Sequence, residues 1–531
     1  MASTCGPQKL ARLQGLMALI MARSKLPGHP TPVIVSDKHG KAKWTVSIPP
    51  NAKFPLAAEE YTSICDKCVD VANRVDILRR RSSGGIHSLS MGAISSINKS
   101  HKPKSAAERM QTFDNNFIDV HEAEEAGYLT GSVSIATLMN QQADNNDDGN
   151  IVGEEDTLSA RRAQKPVCSR SLTFVLASTD AGLGRTLMLL WMAYAQAQAE
   201  GRGFFIDDTR WAYGRYAQIF APPPSPNCRP PLRHEMLPCP HQARHLVMTV
   251  DTASRFILAE NDDGAEDITP EHTAHLFDLA YKGYEALFHL NVDDAKHVAK
   301  RVKEIKAEAA GEKLSSNADS SKKEHGAIVG VHVRRGDRRP AEFQYRDSYL
   351  PLNLYADRAT GEIAASAHAR GKGSFPSSLP SVMVLATDDP MVYQAEEFAG
   401  ATRAQKHIRL ANKAVTEPPV PQRGVLHKFV DEAFGWEGGF YAAMFWNLGG
   451  AASPAPDTVP VAAEALRIRS LVGRAYMMDL AVLAESSDQV VCAVSATGCR
   501  LLAVMMGRDK ALKQGRWINI DGDYGWWAAD F

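Results

Sequence analysis

The chain has 531 residues, more than one hydrophobic core organises, so its length implies two Rossmann-sized domains plus an extension and excludes a single small domain. Hydrophobic residues at 44% and charged residues at 23% exclude a wholly disordered, collagen-like or coiled-coil chain. Against 61 acidic residues stand 60 basic ones, a formal net charge of -1, so no global field draws nucleic acid or anionic lipid and any anion must be met by a local site.

No stretch reaches the roughly 18 to 20 apolar residues of a membrane span. The run Leu13 to Ala22, between Arg12 and Arg23, reads as a short targeting segment, an amphipathic helix or a truncated amino terminus. Residues 1–110 form an amino-terminal extension, partly disordered, with one helical pattern from Glu59 to Arg81. Residues 111–165 are an acidic, Asn/Asp-rich connector. Within it Asp144, Asn146, Asp148 and Glu155 have the spacing of a calcium loop, which a solvated acidic loop shares.

From Cys168 strands and helices alternate. Residues 166–324 carry buried strands at Ser171 to Leu176 and Phe204 to Ile206, and helices at Thr186 to Glu200, Glu271 to Leu290 and Asp293 to Lys306. Residues 325–512 form a second unit with strands at Ala327 to Val333, Val382 to Ala386 and Gln489 to Val494 and a helix at Thr497 to Met506, interrupted by Ala/Gly/Pro-rich insertions including Arg358 to Pro380. Residues 513–531 remain as a tail. Two successive βαβ units predict an α/β fold of two facing Rossmann-type domains, with ligand in the cleft at the carboxyl ends of the strands. The eight cysteines leave the redox compartment open, and Cys228, Cys239 and His241 admit a zinc knuckle.

Chemistry concentrates where strands end. Gly330-Val331-His332-Val333-Arg334-Arg335-Gly336-Asp337 sets two guanidiniums and a carboxylate after a hydrophobic strand. Such guanidinium forks suit phosphate oxygens and a departing pyrophosphate, although an Arg-Asp pair capping a strand fits equally. Asp180-Ala181-Gly182-Leu183-Gly184-Arg185 joins a strand to a helix, so Gly182 and Gly184 allow close backbone approach to an anion or simply make a tight turn. The dinucleotide fingerprint is absent, because Leu187 stands where its third glycine would fall. Asp388 and Asp389 close the next strand either as ligands or as helix caps.

Together these segments, with Asp208-Thr209-Arg210-Trp211-Ala212-Tyr213 and Val490 to Arg500, resemble the α-1,6-fucosyltransferase family over roughly residues 165 to 510. The resemblance implies a GT-B-like fold and an inverting, metal-independent transfer of fucose from GDP-fucose to a glycan or glycoprotein, with no cofactor. It implies that Arg334 holds the β-phosphate beside Arg335 and Asp337, that His332 and Asp479 contact guanine, that Tyr213 lies at the ribose, that Ser495 serves the donor, and that Glu342 is the catalytic base. Arg338 replaces a lysine of the family near that base, and Ala496 replaces the second serine of a Ser-Ser pair. It also implies disulfides Cys492–Cys499 and Cys168–Cys228, hence an oxidising secretory compartment such as the Golgi lumen, with the cytosol as the alternative. No amino-terminal anchor and no carboxyl-terminal SH3-like domain are expected. A non-catalytic guanine-nucleotide or glycan-binding relative, prompted by Ala496 and Arg338, and a calcium-binding protein built on Asp144 to Glu155 are the alternatives.

Overall fold

The structure is a computed structural model, and it describes residues 29–49, 52, 54–83, 113–129, 151–152, 165–177, 182–257, 269–311, 325–335, 348–371, 379–409 and 463–527. Asp144, Asn146, Asp148, Glu155, Asp337, Arg338 and Glu342 lie outside the described residues.

Within the amino-terminal extension the chain builds an antiparallel hairpin, β1 (Thr31–Ser36) and β2 (Ala42–Ser47), followed by the 26-residue helix α1 (Ala58–Ser83). The hairpin is absent from the sequence reading, because its strands are short and only β2 is buried along most of its length. Helix α1 was legible from its apolar spacing, which buries Tyr61, Ile64, Cys65, Cys68, Ala72 and Val75 along one stripe. The short helix α2 (Val120–Glu125) opens on Asp119, whose side chain accepts a hydrogen bond from the His121 backbone N–H.

The first sheet has the order β3-β5-β4-β6. Its founding strand β4 (Ser171–Val175) is buried at every position, as a parallel strand covered on both faces must be. Helix α3 (Leu183–Ala199) carries the chain to β5 (Gly203–Asp207) on one side of β4. After the short helix α4 (Tyr216–Ile219) the chain crosses to β6 (His245–Met248), on the other side. The edge strand β3 (Ile151–Val152) is antiparallel to β5. Helices α5 (Val250–Ile257), α6 (Pro270–Leu287) and α7 (Val292–Ala309) follow. Thr269 caps α6 and Asn291 caps α7, each accepting a hydrogen bond from a first-turn N–H.

The second sheet, β11-β10-β7-β8-β9, is parallel throughout. It starts at its centre with β7 (Ile328–Val333), passes through α8 (Leu352–Gly371) to β8 (Val382–Thr387) and β9 (Thr402–Arg403), and returns through α9 (Ala463–Ser486) to β10 (Gln489–Cys492), α10 (Thr497–Met506) and β11 (Trp517–Asn519). The strand order therefore reverses between β7 and β10. That is the switch point at which open α/β sheets leave a crevice for ligand.

Two expectations are corrected here. Residues 358–371, read as part of a loop insertion, belong to α8, because alanine favours helix whatever the burial pattern. Within the expected tail, Trp517–Asn519 pairs with β10 as the sheet's edge strand, a segment too short to signal itself.

The zinc knuckle also fails. Cys65 is bonded to Cys239 and Cys168 to Cys228, while Cys492 is bonded to Cys499. His241 instead faces Glu200 at 2.7 Å, and among the described residues no cluster of histidine, cysteine or carboxylate side chains has metal-binding geometry. Cys68 stays a buried free thiol, its pKa pushed up by burial. Among the described residues no helix is long and apolar enough to cross a membrane.

Candidate functional site

Three segments meet at the carboxyl ends of β7 and β10. The first is β7 itself. His332 is 3% exposed, and its Nδ1 has no hydrogen-bond partner among the described residues. Burial, assisted by the charge of Arg334, lowers its pKa to about 3, so the imidazole stays neutral at any physiological pH. Arg334 pairs with the Asp388 carboxylate at the end of β8, and the Arg335 backbone N–H donates to the same carboxylate at 2.7 Å. Asp388 is fully buried, so it fastens the start of the arginine loop, while the Arg334 side chain stays partly exposed. Arg335 turns the other way, donating to the Leu350 carbonyl at 3.1 Å with its guanidinium 5.5 Å from the centre of the Tyr349 ring. Asp389 accepts from the Met391 N–H at 2.9 Å, the local turn that sequence reasoning held open beside a ligand role.

The second segment is the turn after β10. The Cys492–Cys499 disulfide spans it, and the Asn519 side chain accepts from the Val494 N–H at 2.9 Å. Ser495 is partly exposed. Ala496 occupies the N-cap of α10 and offers no side-chain cap, and in the first turn the Cys499 N–H donates to the Ala496 carbonyl at 2.9 Å.

The third segment is the glycine turn after β4. Gly182 is the exposed N-cap of α3, again without a side-chain cap. Gly184 lies directly against Thr497, since a Cβ there would stand 3.0 Å from the threonine Cβ. The N-termini of a helix from each sheet thus converge on one spot, and their dipoles add there.

Helix α9 supplies the remaining wall. Gly473 and Tyr476, and Tyr476 and Asp479, are i,i+3 neighbours along this helix. Gly473 packs on the Tyr213 ring, since a Cβ there would stand 3.1 Å from Tyr213 Cδ1. Tyr476 stands 6.3 Å from His332, ring centre to ring centre, and Asp479 is buried one turn on. Arg469, also buried, lies beside Tyr213. The structure therefore brings Gly184 against Thr497, Tyr213 against Gly473 and His332 beside Tyr476 and Gly498, and it pairs Arg334 with Asp388, while Asp479 follows Tyr476 on α9 and Ser495 precedes α10. Sequence reasoning missed Tyr476, Arg469 and Thr497. The spacing Gly473-x-x-Tyr476-x-x-Asp479 was the available signal for the first.

The arrangement suits a nucleoside diphosphate. Two converging helix N-termini and a guanidinium suit phosphates, a buried carboxylate suits base donors, and aromatic side chains suit the flanks of a nucleoside.

No protein-family model matches the chain, and no curated protein is similar to it in sequence. Among solved structures it is similar to NodZ α-1,6-fucosyltransferase soaked with GDP-fucose, at 13% identity over 63% of this chain and 92% of that one, with a TM-score of 0.27. The same enzyme co-crystallised with GDP matches at 12% identity over 63% and 92%, TM-score 0.25. Fucosyltransferase NodZ from Bradyrhizobium matches at 13% identity over 63% and 93%, TM-score 0.26. At these scores the functional reading rests on the crevice's own geometry.

Proposed function

We propose that the chain is a glycosyltransferase using a nucleotide sugar, and within that class an inverting fucosyltransferase taking GDP-fucose as donor and a glycan or glycoprotein as acceptor. The observation that carries the reading is the convergence of the uncapped N-termini of α3 and α10 at the switch point of the second sheet, beside His332 and Arg334. The motif resemblance then supplies the sugar and the base. In this reading residues 166–324 and 325–512 act as two Rossmann-type domains with the donor between them.

Asp479 accepts from guanine N1 and N2, His332 presents a neutral ring edge, Tyr213 flanks the ribose, and Arg334 with the two helix N-termini stabilises GDP as it leaves. Glu342 takes the proton from the acceptor hydroxyl as that oxygen attacks the anomeric carbon, with Arg338 beside it. Positive charge for the leaving group comes from the protein, so no metal is required. Three disulfides support a secretory location, and the Golgi lumen is the compartment the reading favours.

The test is a melting-temperature shift with GDP and UDP, followed by label transfer from GDP-fucose with and without chelator. Stabilisation by GDP alone and chelator-resistant transfer are expected. Equal shifts from GDP and UDP would remove the guanine assignment. GDP binding without transfer across an acceptor panel would leave the non-catalytic relative.

A further inference from the structure

A pocket of about 370 Å³ opens between the short helix α4, the N-terminus of α7 and the helix α9. We propose that it is an oxyanion site, built to take a phosphate or sulfate group, free or carried on a sugar. The inference stands independently of the GDP reading above.

The pocket and the crevice lie on different sides of α9. Arg467, Ser470 and Arg474, spaced i, i+3 and i+7, form the stripe that lines the pocket. Arg474 and Tyr476 are two residues apart and so point opposite ways, the first to Asp294 of α7 and the second to His332.

Donors dominate the lining. Ser470 is 6% exposed, and its hydroxyl has no hydrogen-bond partner among the described residues, so a nearly buried polar group in the pocket wall is left for a ligand to complete. Arg474 gives its Nε and Nη2 to the fully buried Asp294 at 2.8 and 2.7 Å, which fixes the guanidinium and leaves Nη1 over. The Gln218 side-chain oxygen accepts from the Arg215 backbone N–H at 3.0 Å, so the amide NH₂ is the end that remains. At the start of the 18-residue α7 the Asn291 side chain takes the Asp294 N–H, while those of Val292 and Asp293 have no intrahelical acceptor and sit at the positive end of the helix dipole. The one carboxylate among the described lining residues, Asp293, is largely exposed and stands 4.0 Å from Lys296. A sugar hydroxyl calls for acceptors as well as donors, whereas the oxygens of a sulfate or a dianionic phosphate only accept, so this donor set selects the oxyanion.

The experiment uses the full chain in a buffer without phosphate or sulfate. Calorimetry measures inorganic phosphate, inorganic sulfate, glucose 6-phosphate and glucose against the unaltered protein, Ser470→Ala, Asp293→Asn and Arg334→Ala, with each unliganded melting temperature. The unaltered protein is expected to bind the anions and not glucose. Ser470→Ala should weaken the anions about 5- to 10-fold, the loss of one charge-assisted hydrogen bond, with little change in melting temperature, since alanine suits a helix. Asp293→Asn, which removes a nearby like charge, should tighten them about 2- to 3-fold. Arg334→Ala should leave this binding intact. Glucose 6-phosphate binding more tightly than inorganic phosphate identifies a sugar-borne group, and equal binding identifies the free anion. Absence of anion binding, glucose bound as well as the anions, or unchanged affinity in both Ser470→Ala and Asp293→Asn overturns the inference. Anion binding lost in Arg334→Ala and kept in Ser470→Ala also overturns it, by moving the anion to the crevice.

Discussion

At the scale of single residues the pair Arg334–Asp388 decides how the proposed phosphate site is held. The carboxylate is fully buried and serves both the guanidinium and the Arg335 backbone N–H, so it is a positioning residue and a poor candidate for a catalytic base. Asp388→Asn keeps the shape and removes the charge. It is expected to lower stability by about 2 kcal/mol, the worth of hydrogen bonds to a charged group, and to weaken GDP by about tenfold as Arg334 loses its anchor. Denaturant titration with calorimetry checks both. Intact GDP affinity would separate the pair from the ligand site.

Buried histidines set the acid response. His332 and His245 have their pKa values lowered to about 3 and about 4, in each case chiefly by burial. Each remains neutral in the folded state while its unfolded counterpart takes up a proton below about pH 6.5, so each contribution is complete above that pH and is lost as the pH falls toward the folded value. At pH 5 each loss is about 2 kcal/mol. Glu124, raised to about 7 mainly by burial, works in the opposite direction, so the check is a difference between variants. His245→Gln should reduce the loss of stability between pH 7 and pH 5 by about 2 kcal/mol. An identical slope in that variant would mean that His245 protonates freely in the folded protein.

Among the elements, α3 and α6 meet backbone to backbone at Gly283. Gly283 presses on the Trp191 backbone, and any Cβ at that position would overlap the tryptophan carbonyl. Gly283→Ala is therefore expected to destabilise the protein by at least about 3 kcal/mol, since backbone cannot yield as a flexible side chain can. Equilibrium unfolding measures it, and a change under about 1 kcal/mol would show that the helices separate at little cost. Strands β4, β7 and β8 were legible because a parallel strand buried on both faces is a continuous apolar run, and α6 because one stripe of it is buried. Helix α9 was not. Its residues Ala475, Met477, Met478, Leu480, Ala481, Val482 and Leu483 are buried all round the helix, which erases the periodicity that marks an amphipathic one.

On the scale of the whole molecule, α7 joins the two sheets. It follows α6 in the first unit, yet its Asp294 receives Arg474 of α9 at 2.8 and 2.7 Å, and its Arg301 donates to the Arg403 carbonyl at 2.8 Å and the Ala404 carbonyl at 3.1 Å. Arg474→Ala strands a fully buried carboxylate and is expected to cost about 3 kcal/mol in denaturant unfolding. A loss below about 0.5 kcal/mol would mean that packing alone carries this junction.

The sequence by itself determined the strands that bury both faces, the glycine turn after β4 and the arginine loop after β7, because these depend on residues adjacent in the chain. It also marked Tyr213, Asp479 and Ser495 through the motif resemblance, without their geometry. Only the tertiary structure decided that Gly184 meets Thr497, that Arg334 is held by Asp388, and that Tyr476 and His332 close on Gly498. Those contacts join positions up to several hundred residues apart. Which helix terminus faces which is set by the packing of both sheets and by the crossing from β9 back to β10, and no local pattern of polarity encodes either.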